Sequence, residues 1–198
     1  MRLLIIGSSY ARDIRNRYPF QSQEIAGNTV EIYYKFFPGK SYEYMLDNPN
    51  LIDSALSCVP DFIVTIFGGN SISNNTSKAY LIDKCRSFYQ LLHDKVKICN
   101  PSALIIAHQI PLRFVYDNYK DTPKPQEFKK LRDQLNEKVR KLSTVHHILL
   151  IAGPNRLDHI DCYRCERNSA NRIHFTPDSI EYQFNRIISK ISFLLTNN

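Results

Sequence analysis

Short apolar runs recur at wide intervals along this chain, and polar or turn-forming residues bound each of them. They occupy residues 3–6, 62–67, 103–107 and 148–152. Short runs that are apolar throughout are typical of strands covered on both faces in a parallel sheet. Residues 29–37 differ because Val30, Ile32 and Tyr34 alternate with Glu31 and Lys35. This alternation predicts an edge strand with one wetter face.

Between these runs lie three segments in which apolar residues return every three or four positions. They are Leu81, Cys85, Phe88, Leu92 and Val96; Phe128, Leu131, Leu135, Val139 and Leu142; and Ile180, Phe184, Ile187, Ile191 and Leu194. Each predicts a helix with one apolar stripe against a sheet. The last helix has a capping residue in Thr176 and a first-turn proline in Pro177,.

Strands that alternate with helices predict a doubly wound α/β fold. We therefore predict a three-layer α/β/α sandwich with a five-stranded, mainly parallel sheet in the flavodoxin-like order 2-1-3-4-5. The 198 residues have the length of one domain, and we expect residues 1–198 to form one.

Polar residues follow the predicted strands at the edge where open parallel sheets bind ligands. Ser9 lies just past the first apolar run, before a helical-looking segment, so its N–H is expected at a helix N-terminus, where negative charge is favoured,. Gly39 offers a second N–H, and the Asn70 side chain offers a third donor. His174 is suited to take the Ser9 proton. We predict Ser9 as nucleophile, His174 as general base, and Ser9, Gly39 and Asn70 as an oxyanion hole.

Four segments carry these residues, and together they resemble the four blocks of the SGNH (GDSL-type) hydrolase family, in order and over the whole chain. They are Ile5-Ile6-Gly7-Ser8-Ser9, Phe37-Pro38-Gly39-Lys40, Ile66-Phe67-Gly68-Gly69-Asn70-Ser71 and Asn171-Arg172-Ile173-His174-Phe175-Thr176. The resemblance implies a serine ester hydrolase that acts on an acyl-ester, O-acetyl or lipid-acyl substrate through a Ser9 acyl-enzyme. It implies no cofactor. The chain looks most like the compact intracellular members associated with mobile genetic elements.

Three acidic positions of the family pattern are neutral here: Ser8, Ser71 and Asn171. We expect the two serines to make the loop hydrogen bonds that the acidic residues make in the family pattern. Asn171 is the larger departure because a carboxylate at that position fixes the histidine tautomer and stabilises the imidazolium. The sequence leaves two alternatives open. Asn171 orients His174 through its carbonyl oxygen, or another acid takes its place. The candidate acids are Asp158, Asp161 and Asp178.

The net charge of +7 and the isoelectric point near 9.1 favour anionic partners. Arg164, Arg167 and Arg172 lie in the segment leading to His174 and are predicted anion contacts,. A rival hypothesis follows from the positive charge and the three neutral positions: an Oskar-like SGNH domain with weak or no catalysis that binds RNA or another anionic partner. Retention of Ser9, Asn70 and His174 together favours the enzyme.

The five cysteines are scattered and odd in number, so we expect free thiols in a reducing compartment. His159, Cys162 and Cys165 have zinc-like spacing, but no second pair follows at a suitable distance, and we predict no metal site,. The first apolar run is too short for a signal peptide or a transmembrane segment. We therefore expect a cytoplasmic protein, with the nucleus as an alternative.

Overall fold

The computed structural model describes residues 1–19, 21–73, 76–116, 121–146, 148–151, 160–165 and 171–197. The strands are β1 (Arg2–Gly7), β2 (Gln21–Ile25), β3 (Asn28–Phe36), β4 (Phe62–Ile66), β5 (Leu104–His108), β6 (Leu149–Ile151), β7 (Tyr163–Cys165) and β8 (Arg172–Phe175). The helices are α1 (Ser9–Arg17), α2 (Tyr42–Asp47), α3 (Asn50–Leu56), α4 (Lys78–Cys99), α5 (Pro125–His146) and α6 (Pro177–Asn197), and a short 3₁₀ turn covers Ile160–Cys162.

The central sheet has the strand order β2-β3-β1-β4-β5-β6. β3, β1, β4, β5 and β6 are parallel neighbours. Counted along the chain, these five strands have the order 2-1-3-4-5, which confirms the predicted flavodoxin-like topology. All five residues of β4 are buried, as are the last five of β1. Burial on both faces explains why the buried residues of these strands are almost all apolar,.

The edge-strand prediction for residues 29–37 is wrong. β2 pairs antiparallel with β3 and forms the edge, so the sheet has six strands. The connection is a two-residue turn in which Ala26 and Gly27 have φ of 50° and 75°. Positive φ at both turn residues matches the right-handed twist of the two strands in a tight hairpin. β2 was missed because Gln21-Ser22-Gln23-Glu24-Ile25 is almost entirely polar, and only Ile25 is buried.

Helices cover both faces of the sheet. α4 packs against α2, α3 and α5, whereas α1 packs against α6. The predicted apolar stripes are buried in one continuous cluster with the sheet, apart from the half-buried Leu131. α6 begins at Pro177, and the Thr176 hydroxyl accepts a hydrogen bond from the Ser179 N–H at 3.4 Å. The predicted start of this helix is therefore confirmed.

A second, two-stranded sheet lies outside the main one. β7 and β8 pair antiparallel, and β8 leads into α6. The Tyr163 and Phe175 rings pack together across this pair, with centroids 4.9 Å apart. His174 therefore lies in a strand whose position is set on one side by β7 and on the other by α1, which β8 also contacts. Within the described ranges, no helix is both long and apolar enough to cross a membrane.

Candidate active site

Backbone hydrogen bonds gather the carboxyl ends of three neighbouring strands. The Phe37 N–H donates to the Gly7 carbonyl at 2.8 Å, and the Ser8 N–H donates to the Ile66 carbonyl at 3.0 Å. A Cβ at Gly7 would lie 2.6 Å from the Ile66 carbonyl oxygen, so only glycine allows β1 and β4 to approach this closely,. These contacts bring the first three of the four sequence segments to one edge of the sheet.

Ser9 is the first residue of α1, and 8% of its surface is exposed. The first N–H groups of a helix have no acceptor within the helix, and the helix dipole adds positive potential there. Ser9 therefore combines a hydroxyl with a backbone donor at the strand-to-helix junction, as the sequence predicted.

His174 is held by α1. Its Nδ1 lies 2.8 Å from a carboxylate oxygen of Asp13, a hydrogen bond between residues 161 positions apart in the chain. The adjacent Ile173 carbonyl accepts a hydrogen bond from the Tyr10 hydroxyl at 2.6 Å, and the Tyr10 and His174 rings have centroids 5.7 Å apart. Two residues of α1 thus fix both the backbone next to His174 and the orientation of its ring.

Asp13 is buried, with only 6% of its surface exposed. Burial by itself raises the pKa of Asp13, but the hydrogen bond from His174 and the charges of His174, Arg164 and Arg12 outweigh it and lower the pKa below its ordinary value. Arg12 lies 3.4 Å from one carboxylate oxygen and Arg164 lies 3.7 Å from the other. Asp13 therefore stays ionised, as an acid that orients a catalytic histidine must.

The expected role of Asn171 requires correction. The side-chain oxygen of Asn171 accepts a hydrogen bond from the Tyr116 N–H at 2.7 Å, and the partner of His174 Nδ1 is Asp13. Asn171 is buried and joins β8 to the segment before α5. Of the other candidate acids, Asp161 and Asp178 are exposed, and Asp158 lies outside the described residues. Sequence reasoning missed Asp13, although it follows Ser9 by four positions and lies on the buried face of α1 with Ile14.

Gly39 lies in a tight turn after β3. The Lys40 N–H donates to the Phe37 carbonyl at 3.1 Å, and Gly39 has φ of 74°. Proline at the second position and a positive φ at the third are the features of a type II turn. The Gly39 N–H belongs to the central peptide of this turn, so the turn's own hydrogen bond does not use it. Among the described residues, no atom outside its immediate neighbours lies within 4 Å of a Cβ built on Gly39, so that side of the turn is open.

Asn70 follows β4 and is held at both ends of its side-chain amide. Its Nδ2 donates to the Lys40 carbonyl at 3.0 Å, and its Oδ1 accepts a hydrogen bond from Arg113. The first of these contacts places the Asn70 amide nitrogen beside the Gly39 turn. Sequence reasoning did not single out Arg113, because 43 residues separate it from Asn70.

Ser71 takes over loop hydrogen bonding, as the sequence predicted. Its hydroxyl accepts a hydrogen bond from the Tyr42 N–H at 2.9 Å and donates to the Glu43 carboxylate at 3.1 Å. It thereby ties the first turn of α2 to the loop that carries Asn70.

The structure brings His174 to Asp13 rather than to Ser9. Within the described part of the chain, the hydrogen bonds do not include one between the Ser9 hydroxyl and His174. Residues four apart on a helix have Cβ atoms about 5–6 Å apart on one face, so Ser9 lies one turn from the acid that holds the ring. Catalytic hydrogen bonds are often long until substrate binds.

The predicted anion contacts have different surroundings. Arg164 is half exposed and faces Asp13, and Arg172 donates to the Tyr163 carbonyl at 3.0 Å. Arg167 lies outside the described residues. A groove of about 440 Å³ beside Asp13 is also lined by Arg12, Arg17 and Arg164. Where side chains are described, no three histidine, cysteine or acidic residues come together as a metal site, and His159 lies outside those ranges.

Comparisons with known proteins find the same fold in solved structures. No protein-family model matches the chain, and no curated protein matches it. Solved structures do. The lipase/acylhydrolase from Enterococcus faecalis superposes with a TM-score of 0.61 at 18% identity, over 97% of this chain and 96% of its own. The acetyl xylan esterase AlAXEase gives 0.64 at 15% identity, over 96% and 100%. The chain has the SGNH hydrolase-like fold.

A third SGNH-like structure extends the similarity. A catalytic mutant of Axe2, an acetylxylan esterase from Geobacillus stearothermophilus, superposes with a TM-score of 0.63 at 12% identity, over 96% of this chain and 93% of its own. These likenesses concern the fold. They give no support to an RNA partner, an Oskar-like domain or a mobile-element association, so those expectations remain predictions from sequence.

Proposed function

We propose that this protein is a serine ester hydrolase acting on a small acyl-ester, O-acetyl or lipid-acyl substrate. The observation that carries the proposal is the 2.8 Å hydrogen bond between His174 Nδ1 and Asp13. This bond turns His174 into a base oriented by a buried carboxylate, and the carboxylate is one helical turn from a serine at a strand-to-helix junction. The hydrolase and esterase descriptions of the SGNH-like neighbours point to the same chemistry.

Asp13 decides what the imidazole can do. A carboxylate accepts hydrogen bonds and does not donate them, so the ring proton stays on Nδ1 and the Nε2 lone pair is free to act as a base. When Nε2 takes the Ser9 proton, the resulting imidazolium is stabilised by the Asp13 charge beside it. The lowered pKa of Asp13 keeps that charge in place.

In the proposed reaction, the Ser9 oxygen attacks the ester carbonyl while His174 Nε2 accepts the hydroxyl proton. The tetrahedral oxyanion receives hydrogen bonds from the Ser9 N–H, the Gly39 N–H and the Asn70 Nδ2. Collapse breaks the bond to the alcohol, which leaves with the proton from His174. Water then attacks the Ser9 acyl-enzyme by the same steps, with His174 as base, and releases the carboxylic acid.

Labelling with a fluorophosphonate probe, followed by peptide mapping, tests the proposal without requiring the natural substrate. We expect the label on Ser9, and loss of both labelling and p-nitrophenyl acetate hydrolysis in Ser9→Ala. Ser8→Ala is the matched control because Ser8 is also buried and stands next to Ser9. The Ser8→Ala variant should still be labelled on Ser9. A label on another residue, or equal turnover by Ser9→Ala and the wild type, would disprove the nucleophile assignment.

A further inference from the structure

Arg113 is a buried cation next to the proposed oxyanion hole. It lies in the segment between β5 and α5, and only 6% of its surface is exposed. One guanidinium nitrogen donates to Asn70 Oδ1, and a Cβ built on Gly69 would lie 3.1 Å from that nitrogen. The guanidinium also lies over the Phe128 ring, 5.6 Å from its centroid. Arg113 thus fills the space behind the loop that carries Asn70.

The charge of Arg113 faces a neutral amide and an aromatic ring. Among the described residues, no carboxylate forms an ion pair with it, and its Nε is buried without a hydrogen-bond partner. Removing an ion from water costs several kcal/mol even after relaxation. An apolar residue over Phe128 would avoid that cost. The cation–π contact with Phe128 offsets part of this cost,, but the hydrogen bond to Asn70 is the contact that an apolar residue could not supply.

The contacts of Asn70 depend on which way its amide faces. A guanidinium has only donors, so the Asn70 atom beside Arg113 must be the oxygen. The Lys40 carbonyl only accepts, so the atom beside it must be the nitrogen. A flipped amide would set donor against donor and acceptor against acceptor, and it would lose both hydrogen bonds. A neutral partner able to both donate and accept would not impose this choice.

We propose that Arg113 is the positioning residue of the oxyanion hole, acting through Asn70. It fixes the amide with Nδ2 towards the Gly39 turn. Lys40 uses one Nδ2 hydrogen, and the other remains for the oxyanion. The charge on Arg113 also polarises the amide, which makes Nδ2 a stronger donor. This inference rests on the proposed oxyanion role of Asn70.

The test compares Arg113→Met, Asn70→Ala and the double variant. The measurements are kcat and KM on p-nitrophenyl acetate and the rate of fluorophosphonate labelling. Removing one oxyanion donor costs about 10²–10³ in kcat. We expect Arg113→Met to lower kcat by about 10- to 100-fold and to change KM by less than about three-fold. In the Asn70→Ala background, Arg113→Met should have almost no further effect, because the residue through which it acts is gone.

Arg113→Lys is the control that keeps the positive charge. Lysine also donates without accepting, but it lacks the planar guanidinium that lies over Phe128, so it should restore part of the transition-state stabilisation that Arg113→Met loses. If Arg113→Met does not fold by circular dichroism, Arg113→Gln takes its place, because glutamine both donates and accepts. The same non-additivity with Asn70→Ala is then expected.

Two failures are distinguishable. If Asn70→Ala leaves kcat unchanged, the proposed oxyanion role of Asn70 is wrong, and the inference about Arg113 falls with it. If Asn70→Ala impairs kcat but Arg113→Met does not, only the inference is overturned. Additive losses in the double variant would overturn it as well, since Arg113 would then act independently of Asn70.

Discussion

Asp13→Asn is the substitution that most directly tests the arrangement of the proposed site. It keeps the size of the side chain and removes its charge. Asp13 is the hydrogen-bond partner of His174 Nδ1, and Arg12 donates to its other oxygen at 3.4 Å. Because Arg12 only donates, it favours the amide oxygen on its own side. The amide N–H then faces His174 Nδ1 and stabilises the tautomer that carries its proton on Nε2, where the base must be free.

The expected loss follows from this change of tautomer and from the missing charge. The corresponding change in a serine protease lowers kcat about 10⁴-fold, which corresponds to about 5 kcal/mol of transition-state stabilisation. Arg164 lies 3.7 Å from the His174-facing oxygen and opposes the amide orientation that Arg12 favours. We therefore expect a loss of about 10³- to 10⁴-fold in kcat with little change in KM.

The assay is kcat and KM on p-nitrophenyl acetate, together with the fluorophosphonate labelling rate, for variants that keep the wild-type circular dichroism spectrum. Asp178→Asn is the matched control, because Asp178 is an exposed acid at the start of α6, close in sequence to His174. It should behave as the wild type. Asn171→Asp should bring no gain, because Asp13 already holds His174 Nδ1.

A folded Asp13→Asn variant within about ten-fold of wild-type kcat would refute the role of Asp13 as the acid that orients His174. Asp13 would then be a structural acid that holds β8 against α1. A gain in Asn171→Asp would also count against Asp13, since that substitution restores the carboxylate position of the family pattern.

Two further predictions concern stability. Burial lowers the pKa of His108 from 6.5 to about 4, so the folded state resists protonation. As the pH falls from 6.5 towards 4, His108 is protonated in the unfolded state but not in the folded state. The free energy of unfolding should therefore decrease over this range, by at most about 3 kcal/mol. The free energy of unfolding in urea, measured at pH 7.5 and pH 4.5, should change less between the two pH values for His108→Gln than for the wild type. An equal change in both proteins would show that His108 is not responsible for the pH dependence. Gly7→Ala should destabilise the protein by about 1–3 kcal/mol, because the added Cβ would lie 2.6 Å from a backbone oxygen of β4,. An unchanged denaturation midpoint would contradict that close contact.

Local pattern was sufficient for most of the architecture. β1 after Arg2, and β4 apart from Thr65, are apolar because both faces of a central parallel strand are covered,. The stripes of α4 and α6 repeat with the helical period because only one side of each is buried,. The Pro38-Gly39 turn and the Thr176 cap are also local features, since each depends on neighbouring residues alone.

Local pattern failed at β2. All of its residues except Ile25 are polar, and it is a strand because the Ala26-Gly27 turn folds it back onto β3.

Tertiary structure decided which side chains meet at the candidate site. Asn171 stands three positions before His174, yet the partner of His174 is Asp13, brought from 161 positions away by the packing of α1 against β8. A buried acid four residues after a serine was visible in the sequence, but its partner was not. Arg113 and Asn70 show the same limit across 43 positions. The periodicity of apolar residues in the sequence indicates which face of a helix or strand is buried. Which residue packs against that face depends on how separate elements come together in space.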